Sequence, residues 1–322
     1  MENKTEVSLV VSDVANTVVD FFGNWGTSTK KAFEDLAASR KITMDSLVED
    51  VMANTSSESR MYDLATMIKM SPILQPKNDE EKANFAKDDA KIIHEWQKKR
   101  DDNTFYEGVI DSVREVKSKG CKFVFYSDSP ISSVVARLAQ GNFPADLIDG
   151  IYAQPDLPNA SEVPMEIASK VNQYKKLLGD KVRPLYNCPN KPHPVALKKI
   201  MKDMKVENPK QAVMVGDSLR SDCGGGNAAG MNTAWQKQGA DVCKEAVDFY
   251  FTIPMKPNYV LGLERSLKQL SEHPEYKPSV VLEKGYRDLN KHFEFVSADK
   301  NKSSEKTVLN AQVMNKLLAK QR

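Results

Sequence analysis

The 322-residue sequence has no apolar run approaching the ~20 residues that span a bilayer. Its first apolar stretch, Val7 to Val11, is too short for the hydrophobic region of a secretory leader. Both absences predict a soluble, cytoplasmic protein. Cysteine is scarce: Cys121, Cys188, Cys223 and Cys243 lie far apart and form no CxxC pair. Tetrahedral zinc sites are built from close ligand pairs, so a zinc centre is not expected, and reduced thiols are the default. Charge of one sign is also missing. The formal net charge is +2, with no concentrated basic face, so neither a nucleic acid nor a membrane surface is an expected partner. No internal repeat is present.

What is there is ordinary globular material, with 40% hydrophobic and 28% charged residues, enough for one large α/β domain and a smaller unit. Short β-branched or aromatic runs predict strands at Val7–Ser12, Cys121–Tyr126, Leu147–Ala153, Gln211–Val215, Asn232–Trp235 and Val247–Ile253. Helical spacing separates them, at 105–119, Ser129–Gln140, Val163–Leu178 and His193–Met204. Alternation of this kind predicts a doubly wound parallel sheet, whose ligands bind beyond the carboxyl ends of the strands. Residues 21–104 lack strand signals and read as a helical insert, with stretches at Thr27–Ser39, Met44–Ala53, Arg60–Lys69 and a charged run from Lys77 to Asp102. The expected division is a core of 1–20 and 105–264, a helical cap of 21–104, and a helical C-terminal extension of 265–322. That extension carries twelve Lys/Arg against seven Asp/Glu, with helices expected at Tyr286–Phe293 and Thr307–Lys320 and a polar linker at 297–306.

Four chemistry-bearing elements fall at or just after predicted core strands: Asp13 in DVANT, Ser127 after CKFVFY, Lys191 in KPHP, and Asp217 with Asp222 in GDSLRSD. An aspartate after a strand is usually a turn residue or helix cap. Together, however, these residues meet one chemical demand. A carboxylate can attack a phosphoryl group to form an aspartyl-phosphate. The dense charge on phosphoryl oxygens then calls for a cation, a lysine and hydrogen-bond donors. Mg²⁺ takes oxygen ligands, which carboxylates on adjacent strand ends can supply.

In these motifs, and above all in MVGDSLRSDCGGGNAAGMNTAW (214–235), the chain resembles the haloacid dehalogenase-like (HAD) hydrolases from Val7 to about Ile253. The resemblance implies a Rossmann-like core with residues 21–104 as its cap. It implies that Asp13 is the nucleophile and a Mg²⁺ ligand, joined by the Ala15 carbonyl and by Asp217, with Asp222 supporting the metal site. Ser127 would donate to the phosphoryl oxygens, and Lys191 would neutralise charge between them and the nucleophile. The implied partner is a small phosphorylated or phosphonate metabolite; a homodimer is compatible with the sequence. Phe22 and Trp25, close behind the nucleophile, are candidates for the substrate entrance or for cap packing.

Two positions depart from that pattern. Ala15 stands where the family's phosphatases carry a second aspartate, which protonates the leaving group and then activates water. Asn16 replaces the usual glycine; asparagine tolerates left-handed backbone better than most residues. DVANTVVD resembles the opening of phosphonoacetaldehyde hydrolase, which also has alanine there, but no lysine lies between Lys41 and Lys69 to serve as that enzyme's Schiff-base amine. Three readings stay open: a phosphonate hydrolase, a phosphatase whose acid/base is displaced (Asp20, Asp128 or His193) or unneeded, and a non-catalytic binder. A dehalogenase has no need of the metal-binding GDSLRSD.

Overall fold

The computed structural model describes residues 4–56, 60, 63–156, 165–253 and 260–298. Its centre is a seven-stranded, wholly parallel sheet in the order β5-β4-β3-β2-β6-β7-β8. The strands are β2 (Leu9–Ser12), β3 (Lys122–Pro130), β4 (Gly150–Gln154), β5 (Val182–Pro184), β6 (Ala212–Gly216), β7 (Asn232–Gln236) and β8 (Val280–Leu282). β1 (Thr5–Val7) pairs separately, in parallel, with β9 (Phe293–Phe295).

The period-two alternation of each central strand divides its side chains between two cores. Val10, Phe123, Phe125, Val213 and Val215 enter one face, under the helices Val109–Ser118 and Ile131–Gln140. Leu9, Val11, Val124, Tyr126, Ala212 and Met214 enter the other, under Val195–Asp203. The chain is therefore α/β and doubly wound. β2 lies at the centre, between β3 and β6, so the residue following it emerges where both flanking strands also end.

The helical unit after β2 contains Phe21–Arg40, Met44–Asn54, Leu64–Met70 and Asp79–Arg100. Asp20, Thr43, Asp63 and Asn78 cap their N-termini by accepting backbone N–H bonds. The long Asp79–Arg100 helix buries only Ile92 and Trp96, so its charge run is a solvated face. Among the described residues, no helix is long and apolar enough to cross a membrane.

Two expectations are corrected. Val247–Ile253 is not a strand: Lys244–Thr252 is a helix, burying Ala246, Val247, Phe249 and Tyr250 at helical spacing. A short apolar run cannot by itself separate the two periods. This helix packs on Phe21–Arg40, and Val242, Ile253 and Leu261 join its buried residues in the hydrophobic core of the helical unit. The chain from 265 is likewise no separate helical appendage over its described length. Leu263–Glu272 is a helix, but β8 adds an edge strand to the main sheet, and β9 closes on β1. Tyr286, Leu289 and Phe293 fill the same core as β2 and β3. The helix expected at Thr307–Lys320 lies outside the described residues.

Candidate active site

Asp13 is the first residue beyond β2, and its N–H donates to Val215 O at 2.9 Å, fastening it to β6. Asp217 is the first residue beyond β6, so two carboxylates leave adjacent parallel strands at one level. Asp222 comes from the π-helical segment Leu219–Gly224 that follows, and its Oδ2 accepts from Ser218 N at 3.0 Å. A Cβ on Gly216 would lie 2.1 Å from the Asp222 carboxyl, which is why the GDS motif needs glycine there. Ligand-capable oxygens of Asp13, Asp217 and Asp222 lie within 4.8 Å of one another.

Lys191 reaches the cluster from the loop between β5 and the helix Val195–Asp203. Its Nζ donates to Asp13 Oδ1 at 2.5 Å and to Asp222 Oδ1 at 2.8 Å, and sits 4.8 Å from the centre of the Tyr126 ring. Its backbone N–H donates to both carboxylate oxygens of Asp128, at 3.2 Å each. Asp128 thus positions the lysine loop.

Thr17, in the quoted DVANT opening but given no role from sequence, links the acids. Its Oγ1 lies 3.3 Å from Asp13 Oδ2 and 3.2 Å from Asp217 Oδ1, and it accepts the Asp217 N–H at 3.1 Å. A hydroxyl has one proton, so it donates to one carboxylate at a time. Trp235 Nε1 donates to the Asp217 carbonyl at 2.7 Å.

The cluster is closed off from solvent. Asp13, Asp217 and Asp222 are 7%, 8% and 1% exposed. Burial, reinforced by Asp222 and Asp13, holds the Asp217 carboxyl well above the ordinary carboxylate range. Burial pushes Asp222 up to about 7, against the opposing pull of Lys191. Burial also disfavours the charged form of Lys191, but Asp13, Asp222 and Asp128 more than offset it and raise its pKa well above that of a free lysine.

Three buried carboxyl groups outnumber the one ammonium they face, which favours protons on Asp217 and Asp222 in the absence of a cation, and the donor atoms are all oxygen. That donor set fits a hard divalent cation such as Mg²⁺. Both oxygens of Asp222 are engaged, by Lys191 and Ser218. Both oxygens of Asp13 are likewise engaged, by Lys191 and Thr17, so hydrogen bonding alone does not rank the three acids as ligands.

Folded Asp217 and Asp222 bind protons more readily than the unfolded chain, so their stabilisation is present at low pH. It is lost as pH rises from the ordinary carboxylate range through about 7. Stripped of divalent cations, the protein is expected to melt higher near about pH 5.5 than near about pH 8. Mg²⁺ should recover much of the difference. Equal melting temperatures at the two pH values in EDTA would contradict the raised carboxyl pKa values.

Other sequence-selected residues fall as follows. Ser127 is buried on β3 at the same end of the sheet; its Oγ accepts from Ser129 N at 3.2 Å and makes no hydrogen bond to the carboxylates. Ala15 is half-buried and packs against the core of the helical unit. Asn16 takes φ 58°, and its Oδ1 accepts from Phe22 N at 2.9 Å, tying the nucleophile loop to the first turn of the helix Phe21–Arg40. Asp20 caps that helix through Gly23 N at 2.9 Å, and His193 is exposed, its Nδ1 accepting from Val195 N at 3.4 Å. Of the two roles open to Phe22 and Trp25, the structure takes packing over the entrance: they are 6% and 0% exposed, packed edge-on with Tyr250. The helix Lys244–Thr252, unforeseen from sequence, is what covers them.

The turn after β7 presses on the nucleophile loop. A Cβ at Gly239 would stand 1.6 Å from the Asn16 carbonyl oxygen and 2.9 Å from Asp217 Cβ. Backbone cannot yield as a flexible side chain can, so Gly239→Ala is expected to cost about 2 kcal/mol or more in stability. A urea midpoint unchanged from the native value would refute this close approach.

Residues 189–261 match a family model described as HAD-hydrolase-like. That match covers less than a quarter of the chain, and the likeness to this family is a likeness of the segment. The segment carries Lys191, Asp217 and Asp222, while Asp13, Ala15 and Ser127 lie outside it. A stretch of 49 residues is 49% identical to the glyceraldehyde 3-phosphate phosphatase of Pyrococcus furiosus; it covers 15% of this chain and 20% of that protein. The HAD phosphatase structure from Thermococcus onnurineus aligns over 88% of this chain and 97% of its own, at 15% identity and TM-score 0.47. A predicted phosphoglycolate phosphatase from Haemophilus somnus 129pt gives the same coverages and identity, with TM-score 0.46.

Proposed function

We propose that the protein is a Mg²⁺-dependent hydrolase of a small phosphorylated metabolite, acting through an aspartyl-phosphate on Asp13. The observation that carries this is the buried constellation of Asp13, Lys191, Asp217 and Asp222, bridged by Thr17. A structural ion-pair network would balance its charges; this one holds an excess of carboxyl groups, as a site for a cation and a phosphoryl group requires.

Asp13 and Asp217, with the Ala15 carbonyl, would hold the Mg²⁺ ion. When bound, it supplies the positive charge that lets a phosphoryl group approach the carboxylates. Lys191 holds Asp13 Oδ1 and adds charge beside the phosphoryl oxygens. Thr17 holds the other carboxylate oxygen, fixing the plane of the nucleophile. Ser127 is available to donate to a phosphoryl oxygen once substrate draws its hydroxyl proton. Asp13 forms the new P–O bond as the bond to the leaving oxygen breaks, and water cleaves the aspartyl-phosphate.

Ala15 offers no proton to the departing oxygen. We therefore assign the best substrates to phosphates whose leaving group departs as a stable anion, such as aryl or acyl phosphates. A second reading, cleavage of a phosphonate P–C bond, is supported by Ala15 alone.

The test is a panel of p-nitrophenyl phosphate, acetyl phosphate, a sugar phosphate and phosphonoacetaldehyde, assayed with Mg²⁺ and with EDTA. Metal-dependent release from the first two above the sugar phosphate is expected. Turnover of phosphonoacetaldehyde alone, with a lysine adduct trapped by borohydride, would replace this reading with the second. No turnover, and no rise in melting temperature with Mg²⁺ and beryllium fluoride, would leave only a non-catalytic role.

A further inference from the structure

Within the core, the main-chain carbonyl of the candidate nucleophile is held by a chain of hydroxyls that begins far away in sequence. Ser12 Oγ donates to the Asp13 carbonyl at 2.6 Å, and the Tyr286 hydroxyl donates to Ser12 Oγ across 274 residues. Both Tyr286 and Ser12 are fully buried, so no solvent competes for these bonds. Tyr286 is itself anchored, because its own carbonyl accepts from Ser112 Oγ at 2.9 Å.

The same segment lies close to the support at the other end of the loop. Gly285 takes φ 64° and lies against the side-chain amides of Gln236 and Gln238. Gln236, also fully buried at the end of β7, donates through Nε2 to the Thr17 carbonyl at 3.2 Å. Tyr286 therefore braces the nucleophile loop at Asp13 through Ser12, while Gln236, which Gly285 approaches closely without a hydrogen bond, holds the loop at Thr17. Thr17 in turn contacts both Asp13 and Asp217. A purely packing role for this segment needs an aromatic ring at 286, but not a phenol aimed at a serine beneath the nucleophile.

We propose that Tyr286 is a positioning residue for Asp13, acting through Ser12, so that the segment bearing it is part of the catalytic unit. This rests on the reading of Asp13 as the nucleophile. The relay moves no proton during the reaction; it fixes the peptide plane from which the Asp13 side chain projects. Small errors in the placement of a reacting group are costly, and a misplacement of about 1 Å can cost on the order of 10²-fold in rate.

The test uses the full chain with Tyr286→Phe, Ser12→Ala and the double variant, each substitution removing only a hydroxyl. kcat and KM are measured on p-nitrophenyl phosphate with Mg²⁺. The melting-temperature rise produced by Mg²⁺ and beryllium fluoride, which mimic the phosphorylated aspartate, is measured in parallel. Each single variant is expected to lose kcat by on the order of 10-fold with KM within about twofold, and to show a smaller beryllium fluoride shift. The double variant should match the single variants, because both substitutions break one relay. Unchanged kcat in Tyr286→Phe, or losses that multiply in the double variant, would overturn the proposal while native turnover and the native shift leave Asp13 in place. If the native chain shows neither turnover nor a shift, the reading of Asp13 fails, and the relay has no nucleophile to position.

Discussion

Replacing Ala15 with aspartate is expected to raise turnover of an alkyl phosphate by about 10²–10⁴-fold, the range a positioned acid/base contributes. The gain should be much smaller on p-nitrophenyl phosphate, whose leaving group departs without a proton. The reason lies in what the structure leaves around Asp13. Lys191 is committed to Asp13 and Asp222, Asp128 receives the Lys191 N–H, and Asp20 caps a helix. Position 15 is half-buried against the core of the helical unit, two residues after the Asp13 carboxylate. A carboxyl introduced there would have its pKa raised by both burial and like charge, which suits an acid working near neutral pH. The check compares kcat/KM for the two substrates in native protein and Ala15→Asp. A variant with no gain on the alkyl phosphate, beside undiminished aryl phosphatase activity, would show that another group already supplies the proton.

The second large effect is expected at Asp13 itself. Asp13→Asn keeps the shape of the side chain and leaves Lys191 its second partner, Asp222, so the fold should persist. Turnover should fall by on the order of 10⁴-fold or more, as when a covalent nucleophile is removed. With native protein and a limiting pulse of acetyl phosphate, mass spectrometry should find an aspartyl-phosphate on the peptide containing Asp13. The absence of a base at position 15 should prolong its life, and Ala15→Asp should shorten it. Turnover in Asp13→Asn within about tenfold of native would remove the carboxylate from the mechanism and leave water attack as the route.

Much of the sheet was legible because its signals are local. β2, β3, β6 and β7 are short runs of β-branched and aromatic residues, each followed by a polar turn, and their alternation with helices implies parallel order. The Asp13, Asp217 and Asp222 cluster was legible for the same reason: carboxylates just past adjacent parallel strands must converge. Helix Lys244–Thr252 was misread because the short apolar run Val247–Ile253 carries too few turns to distinguish its period from a strand's. Its packing partner, the first helix of the helical unit, lies more than two hundred residues earlier, and that contact decided its form.

The sequence by itself determined the parallel α/β core, the acidic strand ends, and the absence of a side-chain acid at position 15. Tertiary structure decided how those groups are used. It buried Phe22 and Trp25 rather than lining an entrance with them, set Thr17 between two carboxylates, and gave Asp128 to the Lys191 backbone. It also brought Tyr286 beneath Asp13 from a segment that reads, in sequence, as an appendage. A motif specifies residue types within a few positions of one another. Burial and hydrogen-bond partners depend on which distant segment closes over them, and only the folded chain fixes that.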